Sequence, residues 1–165
     1  MKVLTSLELY VVVQELSGLK GARVNKIYQP DSHTLVIHFF KTGGNKYVLK
    51  IDSGIGMHLT TYSLEYPQAP PSFCMFLRKY LNNSELLDVV QKDLERVIEF
   101  SFKTKEGKLI LICELFSKGN FILTDQEYRI INSAAVQVWK HRTIKRGEIY
   151  IYPPKTGVNL FRIES

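Results

Sequence analysis

The alternation of hydrophobic and polar positions divides the chain into helical and extended segments. Residues 5–8, TSLE, have the spacing of a capping box, and apolar residues then recur at intervals of three and four. Gly18 and Gly21 follow, and they predict the end of this first helix. Around residues 73–81 a second apolar stripe with the same period predicts another helix.

Most of the remaining chain alternates with a period of two. Residues 24–28 and 34–40 flank the turn-like segment QPDSH and predict a hairpin. Further strands are predicted at 46–51, 55–59, 86–92, 96–103, 108–116, 119–124, 128–132, 135–140 and 149–152, with turns at KEGK (105–108) and SKGN (117–120). Two helices beside eight or more short antiparallel strands predict one α+β domain over residues 1–165. We expect its sheet to pack as a sandwich or a flattened barrel.

The composition is that of a folded domain without a membrane-spanning or secretory segment. Apolar residues make up 45% of the chain and charged residues 23%. Glu8 and Glu15 interrupt the first apolar segment, which argues against a secretory signal. Cys74 and Cys113 stand apart in apolar settings, so we expect reduced, packed thiols. These features together predict a cytoplasmic protein with no membrane partner.

The net charge of +6 is concentrated in the last third of the chain. Residues 103–165 contain 11 Lys/Arg and 6 Asp/Glu, whereas residues 1–102 contain 11 and 10. Four cations fall within the seven residues 140–146, and two more lie off the apolar stripe of the second helix. Such residues form either a solvated surface or a contact for a polyanion. The predicted phosphate contacts are Lys140, Arg142, Lys145, Arg146, Arg78 and Lys79.

Enzymatic signatures are lacking in the sequence. The four histidines have no ligand-like spacing with one another or with the two cysteines. There is no P-loop, no dinucleotide glycine fingerprint and no nucleophile elbow. We therefore expect a binding module with no catalytic residue, no metal and no cofactor.

One arginine occupies a position at which the alternating pattern predicts an apolar residue. In KDLERVIEF, residues 92–100, Arg96 occupies a position of the alternating apolar row. In one interpretation the strand begins at Val97 and the side chain reaches solvent from its end. In a second, Arg96 lies at the rim of the core and pairs with Glu8. In a third, it presents its planar guanidinium to a phosphate or base edge while Glu95 orients it. Glu8 has its own alternative role, as the acidic residue of the predicted capping box.

Several segments resemble a known family. GARVNKIYQPDSHTLVIHF, KIDSGIGMHLTTY, PPSFCMFLRKYL, LERVIEFSF and ELFSKGNFILTDQEYRIIN resemble the N-terminal domain of the NFACT family of ribosome-quality-control factors. Some members were once described as fibronectin-binding proteins. The resemblance runs from about residue 4 to about residue 154, and it implies a fold similar to the N-terminal β-sandwich domain of formamidopyrimidine-DNA glycosylases. Whole members are much longer, so we expect this chain to be the N-terminal part of a longer protein.

The resemblance also implies a function. It implies an RNA-binding module that binds tRNA on a large ribosomal subunit with a stalled peptidyl-tRNA. Such a module supports C-terminal tailing of the nascent chain, and the ribosome performs the bond chemistry. Tailing in the family is associated with an Asp-Arg pair and with an aspartate on the first helix. The matching positions here are Glu95-Arg96 and Glu8, each acid one methylene longer. The resemblance thus assigns Glu8, Glu95 and Arg96 to tRNA binding and leaves tailing open, because a fitted polar site is sensitive to shifts of about 1 Å.

The sequence leaves two other functions to consider. A DNA-binding protein or DNA glycosylase-like enzyme follows from the expected fold, but those enzymes attack with an N-terminal proline amine and use a neighbouring glutamate. This chain reads Met1-Lys2-Val3, so we expect no such activity. A fibronectin-binding adhesin follows from the older family description, and the lack of a secretory signal argues against it.

Overall fold

Two helices and eleven strands follow one another along the part of the chain that the structure describes. The computed structural model describes residues 3–61, 69–116 and 119–154. Helix α1 spans Ser6–Leu16 and continues into a single 3-10 turn, and helix α2 spans Ser72–Leu81. Neither helix is long and apolar enough to cross a membrane. The strands are β1 (Arg23–Asp31), β2 (Thr34–Phe40), β3 (Lys46–Asp52), β4 (Gly56–Thr60), β5 (Glu85–Gln91), β6 (Val97–Thr104), β7 (Gly107–Glu114), β8 (Asn120–Asp125), β9 (Ile130–Ser133), β10 (Gln137–Val138) and β11 (Thr143–Ile144).

Nine of these strands form one antiparallel sheet. Their order is β4-β3-β2-β1-β5-β6-β7-β8-β9, and β10 pairs separately with β11. The pairing of β1 with β5 has one register pair, Arg23 with Glu85, so a narrow junction joins two halves of the sheet. The outer strands β4 and β9 do not pair with each other, so the described sheet is open. The predicted α+β class, with an antiparallel sheet and two helices, is confirmed.

The main core lies between the two halves of the sheet and the helices. Helix α1 buries its apolar stripe, and α2 buries one face that includes Cys74. One cluster joins these stripes to inward-facing residues of both halves, among them Ile37, Leu49, Phe100 and Phe121. Burial of each such side chain contributes about 1.5–3 kcal/mol. Because α1 contacts β4 and β5 while α2 contacts β1 and β6, each helix bridges the two halves.

Strands β6, β7 and β8 are buried on both faces. Residues 128–152 cover their second face with a smaller cluster of Val97, Ile110, Ile112, Ile122, Ile130, Ile144 and Tyr150. Burial on both sides explains why these strands read as nearly continuous apolar runs. Two carboxylates, Glu99 and Glu114, lie within this second face and are buried.

Several element boundaries differ from the predictions. Strand β6 begins at Val97 and not at residue 96. The strand predicted at 135–140 is reduced to β10, and the side-chain amide of Asn120 donates to the carbonyl of Ala135 at 2.8 Å. At 149–152 there is only one isolated bridge, between Ile149 and Arg129. The turn predicted at 117–120 lies partly outside the described residues.

Candidate nucleic-acid interface

The first turn of α1 contains a complete capping box. The Oγ1 atom of Thr5 accepts the backbone N–H of Glu8 at 3.1 Å, and Oε1 of Glu8 accepts the backbone N–H of Thr5 at 3.2 Å. This arrangement contributes about 0.5–2 kcal/mol to helix stability. The predicted start of the helix and the capping role of Glu8 are confirmed.

Arg96 lies just before β6, with its side chain half-buried. Its Nε donates to the carbonyl of Leu115 and its Nη1 donates to the carbonyl of Leu4. The backbone is tied as well, because the N–H of Leu115 donates to the carbonyl of Arg96 at 2.8 Å. Burial lowers the pKa of the Arg96 guanidinium, but arginine keeps its charge in proteins. The strand boundary agrees with the first interpretation, but the guanidinium does not simply reach solvent. It is a fixed charge at the rim of the core.

One peptide group connects Arg96 to Glu8. The carbonyl of Leu4 and the N–H of Thr5 belong to the same peptide unit. Arg96 binds the oxygen of this unit, and Glu8 binds its N–H. The structure therefore holds these two predicted site residues at opposite edges of one peptide plane.

Gln91 ties the third predicted residue to the same place. Its Nε2 donates to the carbonyl of Ser6, in the first turn of α1, at 3.0 Å and to the carbonyl of Glu95 at 2.9 Å. The connection between β5 and β6 is thereby fixed against the helix. Glu8, Glu95 and Arg96 are brought together around the start of α1, although the first lies far from the other two in sequence.

The connection between β5 and β6 is a strained turn. Asp93 and Leu94 have φ values of 48° and 57°, in the left-handed region that favours glycine. The N–H of Glu95 closes the turn on the carbonyl of Lys92 at 2.7 Å. A left-handed residue other than glycine costs about 1–2 kcal/mol, and such strain often marks functional sites. Here the strained turn sets the position of Glu95 and Arg96.

Two buried polar atoms beside this turn have no hydrogen-bond partner among the residues that the structure describes. They are Oε1 of Gln91, an acceptor, and Nη2 of Arg96, a donor. Leaving a buried polar group unpaired costs about 1–3 kcal/mol. Hydrogen-bonding capacity of both kinds is therefore buried and unused beside the start of α1.

Arg142 does not lie on the surface with the rest of the basic cluster. It is 6% exposed, and its Nη1 and Nη2 donate to the carboxylate of Glu114 at 2.6 and 2.9 Å. Nη1 also donates to the carbonyl of Ile151 at 2.9 Å, and the Tyr150 hydroxyl donates to Glu114 at 2.5 Å. The expectation of a phosphate contact at Arg142 is therefore corrected. This arginine neutralises a buried carboxylate under the second face of the sheet.

The other members of the cluster are exposed. Lys140 lies in the turn between β10 and β11, and Lys145 directly follows β11. Arg146 donates from Nε to the carbonyl of Ile131 at 3.1 Å, and its guanidinium carbon lies 5.9 Å from the ring centroid of Phe76. The structure thus brings Arg146 to the surface of α2.

The basic side chains of α2 lie against aromatic rings. Arg78 donates from Nε to the carbonyl of Ile27 at 2.6 Å, and its guanidinium lies 5.2 Å from the ring centroid of Tyr28. Lys79 is exposed and lies 5.5 Å from the centroid of Tyr80. Cations interleaved with aromatic rings are typical of surfaces that bind single-stranded nucleic acid. Both predicted cations of α2 belong to this surface.

Sequence reasoning missed the residues that support these sites. Nothing in the sequence nominated Gln91, or the carbonyls of Leu4 and Leu115 that hold Arg96. Glu114 did carry a signal, because it stands in the apolar run LICELF. Among the described side chains, no group of three His, Cys, Asp or Glu residues is placed to hold a metal ion.

The sheet order, the two bridging helices and the fixed arginine at α1 together define an α+β domain with a candidate binding site at one end of its sheet. The family model described as NFACT N-terminal and middle domains matches residues 5–165, and the chain belongs to this family. The resemblance stated from the sequence is confirmed.

Relatives with established names agree with this assignment. The archaeal Rqc2 homolog aRqcH of Methanocaldococcus jannaschii is 36% identical over 166 residues, covering 98% of this chain and 25% of that protein. The human ribosome quality control complex subunit NEMF is 36% identical over 129 residues, covering 78% of this chain and 12% of that protein. The chain thus spans about a quarter of the length of the archaeal relative.

Solved structures agree on the fold. The N-terminal domain of fibronectin-binding protein PavA from Streptococcus pneumoniae superposes with a TM-score of 0.84 at 28% identity. The superposition covers 96% of this chain and 64% of the other.

Proposed function

We propose that the chain is the RNA-binding module of a ribosome quality control factor. In this role it binds tRNA on a large ribosomal subunit that carries a stalled peptidyl-tRNA, in the cytoplasm. Curated relatives are named as subunits of a ribosome quality control complex or as Rqc2 homologs, which supports the role. The observation that carries the proposal is the Arg96 site, where two backbone carbonyls fix a half-buried guanidinium whose Nη2 amino group has no hydrogen-bond partner among the described residues.

The site is suited to recognition of a phosphate or a base edge. Two backbone carbonyls hold Arg96, so little side-chain entropy remains to be lost on binding. A planar guanidinium gives charge-assisted hydrogen bonds that are about twice as strong as neutral ones. Oε1 of Gln91 is a buried acceptor beside it without a partner among the described residues, and it would have to become exposed to bind a ribose hydroxyl or a base amine. Glu8 and Glu95 set the position of the arginine through the capping box and the strained turn.

The site supports binding and leaves bond-making to the ribosome. Support of C-terminal tailing is part of the proposal, with Glu8 and Glu95 in the acidic positions. The exposed cations Lys79, Lys140, Lys145 and Arg146, with Arg78 anchored on Tyr28, supply phosphate contacts that are independent of sequence.

The test is a titration of labelled tRNA with the wild type and with Arg96→Lys and Arg96→Gln at two salt concentrations, followed by fluorescence anisotropy. Arg96→Lys keeps the charge but loses the planar donor geometry, so we expect about tenfold weaker binding, and a larger loss for Arg96→Gln. Lys46→Gln is the matched control, since it removes one exposed charge on β3 away from the site. Circular dichroism checks that each variant is folded.

If Arg96→Gln binds tRNA as tightly as the Lys46→Gln control, the proposal is wrong. A duplex DNA of similar length serves as competitor. Stronger competition by DNA than by unlabelled tRNA would favour a DNA-binding protein instead.

A second candidate comes from the structural neighbours. Two of them are titled fibronectin-binding protein and fibronectin/fibrinogen-binding protein. Immobilised fibronectin therefore serves as a second ligand in the same study. Saturable binding to fibronectin without salt-dependent binding to tRNA would favour this function.

A further inference from the structure

We infer that a pocket at the opposite end of the sheet from Arg96 binds the sugar–phosphate backbone of RNA. The inference rests on the proposed function in one respect, that RNA is the polyanion. The pocket has a volume of about 490 Å³ and lies between the end of α2, the start of β1 and the β6–β7 turn. Its cations are Arg23, Lys79, Lys103 and Lys105, and Tyr80 forms part of the wall.

Strand register explains why these cations meet. Arg23 pairs with Glu85 across β1 and β5, and Glu85 pairs with Lys103 across β5 and β6. Directly opposed residues of antiparallel strands project to the same face, so Arg23 and Lys103 share a face with backbones about 10 Å apart. The C-terminal end of α2 adds Lys79, and the β6–β7 turn adds Lys105.

Arg23 is held in place before any ligand arrives. Its Nη1 donates to the carbonyl of Asn83 at 2.8 Å, and the N–H of Asn83 donates to the carbonyl of Val24 at 2.8 Å. The carbonyl of Leu81, at the end of α2, accepts the N–H and the hydroxyl of Ser84. These carbonyls, which would repel an anion, are thus bonded within the protein, and the other side-chain N–H groups of Arg23 have no hydrogen-bond partner among the described residues.

The charge of the pocket favours an anion. Two carboxylates, Glu85 and Glu106, stand against the four cations. None of the four cations forms an ion pair with a described residue, since the ion pairs of the described residues involve other cations. Lys79, Lys103 and Lys105 are also exposed. The two carboxylates therefore leave a net excess of positive charge among the described side chains that line the pocket.

A like-charge pair beside the pocket also favours binding of an anion there. Lys103 lies directly opposite Lys108 on β7, and both are exposed. Like charges at directly opposed positions destabilise a sheet. A phosphate between or beside the two ammonium groups would offset this repulsion. Phosphate binding would therefore explain a pair of like charges that stability alone does not explain.

The pocket is a separate site from Arg96. Lys103 is seven residues from Arg96 along β6, which corresponds to about 23 Å. Lys79 also belongs to the basic and aromatic surface of α2, so the pocket continues that surface. An RNA bound at both sites would lie along the length of the sheet.

The test compares two double variants with the same change in charge. Lys103→Gln/Lys105→Gln alters the pocket, and Lys46→Gln/Lys50→Gln alters the outer face of β3. The probe is a labelled single-stranded RNA of about 12 nucleotides, titrated over a series of salt concentrations. If the two lysines contact two phosphates, the magnitude of the logarithmic salt slope falls by about 1.4, and affinity at 0.1 M salt falls on the order of 25-fold. The control should stay within about twofold of wild type. A pocket variant that matches the control would overturn the inference.

Arg96→Gln is titrated in parallel so that the two proposals can be separated. Loss of binding in the pocket variant with normal binding of Arg96→Gln supports the pocket and contradicts the Arg96 site. The reverse result overturns the pocket alone, and a wild type that binds no RNA overturns both. Amide NMR shifts of wild type give an independent readout. RNA should move the resonances of Asn83, Ser84 and Glu106, and unchanged resonances there would also overturn the inference.

Discussion

The ion pair between Glu114 and Arg142 gives a prediction whose size follows from the structure. The two side chains are 0% and 4% exposed, and their charged groups lie 2.6 Å apart at the closest contact. Replacement of Arg142 by Met keeps much of the side-chain volume but leaves the Glu114 carboxylate buried, with the Tyr150 hydroxyl as its remaining side-chain donor. Breaking a buried pair in this way costs about 3–5 kcal/mol, because one charge remains without compensation.

Replacement of all three side chains, Glu114, Arg142 and Tyr150, should lower the free energy of unfolding much less than replacement of Arg142 alone. In the triple variant Glu114→Leu/Arg142→Met/Tyr150→Phe no charge and no unpaired hydroxyl remain at the site. Replacement of a buried pair by apolar residues of similar volume is often neutral or stabilising by about 1–4 kcal/mol. We therefore expect the triple variant to recover most of the stability that Arg142→Met loses.

Urea denaturation followed by circular dichroism measures both effects, with thermal unfolding as a second readout. For a domain of this size, about 2–4 °C of Tm corresponds to each kcal/mol, so Arg142→Met should lower Tm by about 6–20 °C. A loss below about 1 kcal/mol in the single variant would refute the reasoning. So would a triple variant that is as unstable as the single one.

Three further predictions use the same denaturation assay. Gly119→Ala should destabilise by more than about 2 kcal/mol, because its Cβ would lie 2.0 Å from the carbonyl oxygen of Glu114. Gly18→Ala, with no atom within 4 Å, is the control, and equal effects of the two changes would contradict the steric argument. Thr5→Ala removes the cap of α1 and should cost about 0.5–2 kcal/mol, whereas no measurable cost would mean that the cap is dispensable. Burial lowers the pKa of His38 from 6.5, so the unfolded chain binds this proton more tightly and stability should fall as the pH drops below 6.5. His38→Gln should flatten that fall, and an unchanged slope would show that other groups cause it.

The periodic pattern was sufficient for the elements that have one buried and one exposed face. Both helices lie close to where the apolar stripes place them, and the capping box starts α1 at the expected residue. The hairpin of β1 and β2 also follows the alternating pattern, since its turn contains residues that favour turns. Local chemistry decides these elements, so the local sequence is enough to find them.

Long-range contacts decided what the pattern could not show. Arg142 stands among exposed cations in sequence, but its partner Glu114 lies 28 residues earlier on β7. Arg96 looked like a strand residue, yet the carbonyls that hold it belong to Leu4 and Leu115. In both cases a basic side chain turns inward to bind an oxygen atom of a residue far away in the sequence. Local spacing carries no information about that residue. The pocket at Arg23 likewise depends on strand register, which brings three separate segments together.

The two acids beneath residues 128–152 have a consequence for how that segment attaches to the sheet. Glu99 accepts the hydroxyls of Tyr128 and Tyr152, both at 2.5 Å, and Glu114 accepts Tyr150 and Arg142. A segment held on the sheet by apolar contacts alone would tolerate a shift along the sheet by a residue or two. Here any such shift would leave a buried carboxylate without its hydrogen-bond donors. The hydrogen bonds of Glu99 and Glu114 therefore fix one position of residues 128–152 on the sheet.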